Sequence, residues 1–99
     1  MTTPISMKII VVDDEPAVRR TIGDHLSARG HDVREAEDGA TAIRLAGETA
    51  IDAIITDLRM PGLDGVEVLN QVRTVSPATD VIMITAYGDM DSAVEALRA

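Results

Sequence analysis

The chain has 99 residues, a formal net charge of −8 and 45% hydrophobic residues, and Tyr87 is its only aromatic residue. These values predict one small folded domain with an aliphatic core. The absence of cysteine excludes disulfides and thiolate chemistry, and the acidic balance argues against nucleic-acid binding. No apolar run approaches the ~20 residues of a membrane span, and the N-terminus lacks the regions of a signal peptide. We therefore expect a cytoplasmic protein in which residues 1–7 form a flexible leader.

Short apolar runs alternate with amphipathic segments along the chain. The predicted strands cover residues 8–13, 32–36, 51–57 and 80–85, and the predicted helices cover residues 15–30, 38–48, 64–75 and 90–99. The first, third and fourth runs are nearly continuous, which is typical of strands buried on both faces, whereas the second alternates and is predicted nearer an edge. This βαβαβαβα order predicts an α/β fold in which helices cover both faces of a parallel sheet.

The boundaries of two helices have their own signals. Pro16 suits a first helical turn, Gly30 suits the position after a helix end, and Asp64 suits an N-cap. Helical spacing places Val18, Ile22 and Leu26 on one stripe of the first helix, and it leaves two stripes open for the third helix, either Val66, Leu69 and Val72 or Val68, Val72 and Val75.

Polar side chains follow three of the strands. Asp13 and Asp14 stand at the carboxyl end of the first strand, Asp57 ends the third, and Thr85 ends the fourth. Because parallel strands end at the same edge of a sheet, we expect these side chains to converge there. Clustered carboxylates repel one another, which favours a bound hard cation such as Mg²⁺. Aspartate is also a nucleophile towards phosphoryl groups, so the residues indicate a Mg²⁺ site beside an aspartate that can be phosphorylated.

Each of these residues also has a purely structural interpretation. An aspartate at a strand end is more often a turn former or a helix cap, and Thr85 is an ordinary β-branched strand residue. Pro61, Gly62 and Gly65 are compatible with a simple loop. The functional interpretation depends on the joint placement of the polar residues at the ends of the most apolar strands.

Three segments, "KIIVVDDE", "DAIITDLRMPGLDGVEVL" and "VIMITAYGDMDSAVEAL", resemble the receiver domain of two-component response regulators. The resemblance covers Lys8 to Ala99, and the last segment is most similar to receivers of the nitrogen-regulation type. It implies a flavodoxin-like (CheY-like), doubly wound parallel sheet with the strand order 2-1-3-4.

The resemblance also implies roles for individual residues. Asp57 would be the phosphoacceptor, which receives a phosphoryl group from a histidine kinase or a phosphotransfer protein. Asp14 would bind Mg²⁺ directly, Asp13 would bind it through water or support the site, and Asp57 and the backbone carbonyl of Arg59 would complete the protein ligands. Thr85 would be the switch hydroxyl, so that phosphorylation changes the conformation and controls an output such as transcription. Such a domain catalyses its own phosphorylation and dephosphorylation but acts as a switch more than as an enzyme.

The sequence departs from the family at its C-terminal end. Receivers have a fifth strand and helix, with a lysine at the end of that strand, whereas this chain ends at Ala99 and its only lysine is Lys8. We therefore expect residues 8–99 to form a C-terminally incomplete receiver that forms a homo-oligomer, through its exposed fourth strand or by exchange of elements.

Two other functions stay open from the sequence. A Mg²⁺-dependent phosphohydrolase with an aspartyl nucleophile would need a second carboxylate two residues after Asp57, where Arg59 stands. An assembly module would keep the fold without signalling.

Overall fold

The computed structural model describes residues 6–84, in which strands and helices alternate. The elements are β1 (Lys8–Val12), α1 (Pro16–Ala28), β2 (Asp32–Ala36), α2 (Gly39–Glu48), β3 (Ala53–Asp57), α3 (Gly65–Val75) and β4 (Asp80–Ile84). The four strands pair in parallel in the order β2-β1-β3-β4, as predicted. Strand β1 ends one residue earlier than predicted, before Asp13, and β3 begins two residues later than predicted. The predicted helix over residues 90–99 lies outside the described part of the chain.

The central strand β1 is buried on both faces, which explains its continuous apolar sequence. Ile9 and Val11 pack in a cluster with Ala53, against which Ile22 and Leu26 of α1 lie. The alternate residues of β1 point to the opposite face, because successive side chains of a strand alternate. Burial on both faces is the feature that distinguishes a covered parallel sheet from a half-solvated one.

The opposite face of the sheet is covered by α2 and α3. Its core cluster contains residues of both helices and of the two central strands, including Ile10, Val12, Ala42, Ala46, Ile54, Val68 and Val72. Helices therefore lie on both faces, as the strand–helix alternation predicted. Of the two stripes considered for α3, neither is fully buried, because Val75 is 48% exposed and Val66 is half-buried.

The helix ends follow the local signals in the sequence. The Asp64 side chain accepts a hydrogen bond from the Glu67 N–H (3.0 Å), and the Glu67 side chain accepts one from the Asp64 N–H (3.2 Å), which forms a capping box. Pro16 begins α1, and Gly30 follows its end with a φ of 92°. None of the helices in residues 6–84 is long and apolar enough to cross a membrane.

Strand β4 differs from the other apolar strands. Its residues alternate between exposed and half-buried, and Ile82 and Ile84 are 50% and 44% exposed. The prediction that this strand is buried on both faces is therefore wrong for residues 80–84. Self-association through this strand stays a prediction.

Candidate functional site

The register of the sheet places Asp13 beside Asp57. Val12 of β1 pairs with Thr56 of β3, and each aspartate is the next residue along its strand. Because side chains alternate along a strand, Asp57 projects to the same face as Ile55, the face that α1 covers. Carboxylate oxygens of Asp13, Asp14 and Asp57 all lie within 4.8 Å of one another. We call these three residues the carboxylate cluster.

Backbone N–H groups hold two of the three carboxylates. Oδ1 of Asp13 accepts a hydrogen bond from the Glu15 N–H at 2.8 Å, and Oδ1 of Asp57 accepts one from the Arg59 N–H at 3.2 Å. Each of these bonds joins a side chain to the backbone two residues later, so it fixes the orientation of the carboxylate within its own turn. A carboxylate that is held through one oxygen can still use its second oxygen as a metal ligand or a nucleophile.

The carboxylate cluster is electrostatically unfavourable without a cation. Burial raises the pKa of Asp13, and the charges of Asp57 and Asp14 raise it further, while the Glu15 N–H acts in the opposite direction. Asp13 is 7% exposed, so water screens this repulsion poorly. A bound cation would reverse these effects by favouring the ionised carboxylates.

The donor set fits a hard divalent ion. All three side chains offer carboxylate oxygens, which Mg²⁺ prefers, and one exposed and two more buried residues leave part of the coordination for water. A cavity of about 170 Å³ opens beside Asp13 and Asp57, between α1 and strands β3 and β4. There is therefore room for a ligand against the two carboxylates.

The loop after Asp57 is fixed by backbone contacts. The Leu58 N–H donates to the Ile84 carbonyl (3.1 Å), and the Gly65 N–H donates to the Leu58 carbonyl (2.9 Å). A Cβ at Gly65 would lie 2.8 Å from the carbonyl oxygen of Asp57, so the first residue of α3 has to be glycine for this approach. Gly62 has a φ of 80°, which allows the loop to turn back towards the helix.

Of the other predicted site residues, Arg59 is described by the structure and Thr85 is not. Arg59 is exposed and its N–H contacts Asp57, whereas the role of its carbonyl as a metal ligand stays a prediction. Thr85 lies outside the described residues, directly after Ile84, which is paired in register with Asp57.

Sequence reasoning missed Arg19. Its Nη1 donates to the backbone carbonyl of Asp13 (2.8 Å), and its Nε donates to Oε1 of Glu35 (3.0 Å). The sequence contained one signal for it, since Arg19 lies in the first turn of α1. A positive charge there is unfavourable with the helix dipole, which indicates that the side chain has a hydrogen-bond acceptor nearby.

The sequence matches the family model of the response regulator receiver domain over residues 9–99. The chain belongs to the response regulator receiver family. Its fold is accordingly flavodoxin-like, and receivers of this family are generally not classical enzymes.

Individual relatives agree with this assignment. The receiver is 42% identical over 92 residues to the transcriptional regulatory protein ResD of Bacillus subtilis, which covers 93% of the chain and 38% of ResD. It superimposes on a receiver domain protein from Clostridium thermocellum with a TM-score of 0.87 at 34% identity, covering 93% of this chain and 75% of that one. It also superimposes on NtrX from Brucella abortus with a TM-score of 0.88 at 32% identity, covering 95% of this chain and 22% of NtrX. The chain thus spans less than two fifths of the length of ResD and about a fifth of the length of NtrX.

Proposed function

We propose that this receiver accepts a phosphoryl group on Asp57 in the presence of Mg²⁺ and thereby controls an output, such as transcription, in the cytoplasm. The donor would be a histidine kinase or a phosphotransfer protein. The observation that carries the proposal is the convergence of Asp13, Asp14 and Asp57 oxygens within 4.8 Å, beside a cavity. The name of ResD, a transcriptional regulatory protein, supports the type of output.

The chemical step uses Oδ2 of Asp57 as the nucleophile. The Arg59 N–H holds Oδ1, so Oδ2 attacks the phosphorus and forms a P–O bond. The P–N bond of the phosphohistidine breaks, and its electron pair leaves with the imidazole, which takes up a proton. The product is an acyl phosphate on Asp57, which water later hydrolyses to restore the carboxylate.

Asp13, Asp14 and Asp57 would hold the Mg²⁺, with the backbone carbonyl of Arg59 as a further ligand. When bound, the ion supplies positive charge that offsets the charge of the phosphoryl oxygens and of the carboxylate cluster. The rigid β1 and β3 strands keep the three side chains in place before a phosphoryl donor arrives, because their other residues are packed in the core.

The proposed switch involves Thr85. By resemblance to receivers, its hydroxyl would donate a hydrogen bond to a phosphoryl oxygen and move towards Asp57 on phosphorylation. The resulting change after β4 would carry the signal to the output. The receiver would also catalyse its own dephosphorylation.

Incubation with acetyl phosphate and Mg²⁺, followed by intact-mass spectrometry, tests the proposal. We expect one hydroxylamine-sensitive phosphoryl adduct on the wild type and none on Asp57→Asn. Asp24→Asn is the matched control, because it removes an exposed aspartate on α1 and should leave the adduct unchanged. Multiple turnover of phosphomonoesters would instead support the phosphohydrolase, and the absence of an adduct on wild type would support the assembly module.

A further inference from the structure

Arg19 connects three elements at the edge of the sheet where the carboxylate cluster lies. It belongs to α1, its Nη1 donates to the carbonyl of Asp13, and its Nε donates to the carboxylate of Glu35 on β2. Its side chain is only 16% exposed, so the guanidinium is held between these partners instead of extending into water. The distances, 2.8 and 3.0 Å, are those of well-formed charge-assisted hydrogen bonds.

Hydrogen bonds hold the N–H, the carbonyl and one carboxylate oxygen of Asp13, the residue that Arg19 contacts. The Asp13 N–H donates to the Ala36 carbonyl of β2 (3.2 Å), and Oδ1 accepts from the Glu15 N–H. Asp13 follows the last residue of β1, so its carbonyl lies beyond the regular strand ladder. Arg19 supplies a donor to that carbonyl, and Glu35 in turn orients Arg19.

We propose that Arg19 is a positioning residue for the metal site, because it holds the Asp13–Asp14 turn in the orientation that binds Mg²⁺. The proposal rests on the proposed Mg²⁺ site. Groups that orient metal ligands in this indirect way typically change metal affinity about 10- to 100-fold when they are removed.

Position and charge make opposite predictions for Arg19. As a positive charge near a cation site, it should weaken Mg²⁺ binding, so its removal should strengthen binding if charge alone matters. As a positioning residue, it should strengthen binding, so its removal should weaken it. Lysine keeps the charge but lacks the planar fork that reaches two acceptors at once. Arg19→Lys therefore separates the geometry of the side chain from its charge.

The experiment compares Arg19→Lys and Arg19→Met with wild type by calorimetric titration with Mg²⁺. The matched controls are Arg44→Lys and Arg44→Met, since Arg44 forms an exposed ion pair with Glu48 on α2, with 61% and 58% of the two side chains exposed. We expect both Arg19 variants to bind Mg²⁺ about tenfold more weakly. The Arg44 variants should keep the wild-type affinity. Thermal unfolding without Mg²⁺ reports separately on stability.

Arg19 variants that bind Mg²⁺ as tightly as wild type, or more tightly, would overturn the inference while leaving the proposed function intact. A wild type that binds no Mg²⁺ would overturn both. If the Arg19 variants do not fold, the Glu35→Thr variant tests the inference instead, because it removes only the partner that orients the Arg19 guanidinium. We then expect a smaller loss of affinity that persists at about 1 M salt, where the Debye length is ~3 Å. A loss that disappears in high salt would be a charge effect and would overturn the inference.

Discussion

Both ends of the parallel sheet carry aspartates, but at the amino end the side chain of Asp52 is hydrogen-bonded to the backbone of a neighbouring strand. Oδ2 of Asp52 accepts a hydrogen bond from the Lys8 N–H at 2.8 Å, and the Asp52 carbonyl accepts one from the Asp80 N–H at 3.0 Å. One residue thereby joins the starts of β1 and β4. The Asp52 side chain has a structural role, because it accepts the hydrogen bond of the backbone N–H at the first residue of β1.

At the carboxyl end, the three residues of the carboxylate cluster face one another instead. Only one oxygen of Asp13 and one of Asp57 are held by a nearby backbone N–H. One oxygen from each of the three carboxylates lies within 4.8 Å of the other two, and a cavity opens beside Asp13 and Asp57. The difference shows that an aspartate next to a strand indicates a function when its carboxylate oxygen lies close to those of other aspartates, as at the carboxyl end.

The prediction with the largest expected effect concerns the position of Asp57 at the carboxyl end of the sheet. Gly65→Ala would place a Cβ 2.8 Å from the Asp57 carbonyl oxygen and 3.0 Å from Cα of Leu58, both backbone atoms that cannot rotate away. We expect a loss of roughly 2–3 kcal/mol in the free energy of unfolding, the upper part of the range for overpacking. Mg²⁺ affinity should fall as well, since the Asp57 segment must shift. Urea unfolding and calorimetric titration measure the two quantities.

Gly47→Ala is the matched control for this substitution. Gly47 lies in α2, and nothing comes within 4 Å of a Cβ built there, so alanine should stabilise the protein by up to about 1 kcal/mol. Equal stability of Gly65→Ala and wild type would mean that α3 can move away from Asp57 without cost.

The second prediction concerns the amino end. Thr79 is 8% exposed, and its hydroxyl donates to the Ile51 carbonyl at 2.6 Å and lies 2.6 Å from the Ser76 hydroxyl. Thr79→Val leaves these partners unsatisfied, which we expect to cost about 1–2 kcal/mol of stability. Mg²⁺ affinity should not change, because the site is at the other end of the sheet. Thr74→Val, at an exposed position of α3, should stay within about 0.5 kcal/mol of wild type.

A Thr79→Val protein with altered Mg²⁺ affinity would show that the two ends of the sheet are coupled. That outcome would contradict a structural role at the amino end that is independent of the metal site at the carboxyl end.

Much of the fold could be predicted because local signals and burial agree. The bounds of β2 were predicted without error, and Asp64 was identified as an N-cap because its side chain competes for the first helical N–H groups. The convergence of Asp13 and Asp57 followed from parallel pairing together with the strand order that the family resemblance implies, since Asp13 follows β1 and Asp57 ends the adjacent strand β3.

The failures have a common physical reason. Apolar sequence in β4 predicted burial, but Ile82 is half exposed, because a pattern of residues does not reveal which neighbour covers them. Arg19 was missed because its contacts depend on how closely α1 approaches the end of β2, which no spacing along the chain specifies. Three-dimensional packing decided both cases.

The smallest predicted effect has the opposite sign and depends on pH. Without Mg²⁺, Asp13→Asn should stabilise the protein slightly at pH 7, because burial and then the charges of Asp57 and Asp14 raise the pKa of this carboxyl in the folded state. The asparagine Oδ1 can still accept the Glu15 N–H, so the turn is retained. Asp24→Asn controls for the loss of one negative charge.

The sign follows from proton linkage. At a pH below the unfolded value of about 4, Asp13 is protonated in both states and contributes no difference. As the pH rises from there through the higher folded pKa, the unfolded chain releases its proton more readily, so the native state loses stability relative to Asp13→Asn. The advantage of the variant should therefore be complete at pH 7 and absent in acid, as thermal unfolding across this range would show. Saturating Mg²⁺ should reverse the order, since binding at 100 times Kd adds about 2.7 kcal/mol to the wild type and less to a variant with weaker affinity. A metal-free Asp13→Asn protein that is less stable than wild type at pH 7 would mean that the carboxylate cluster is held together by interactions stronger than its own repulsion.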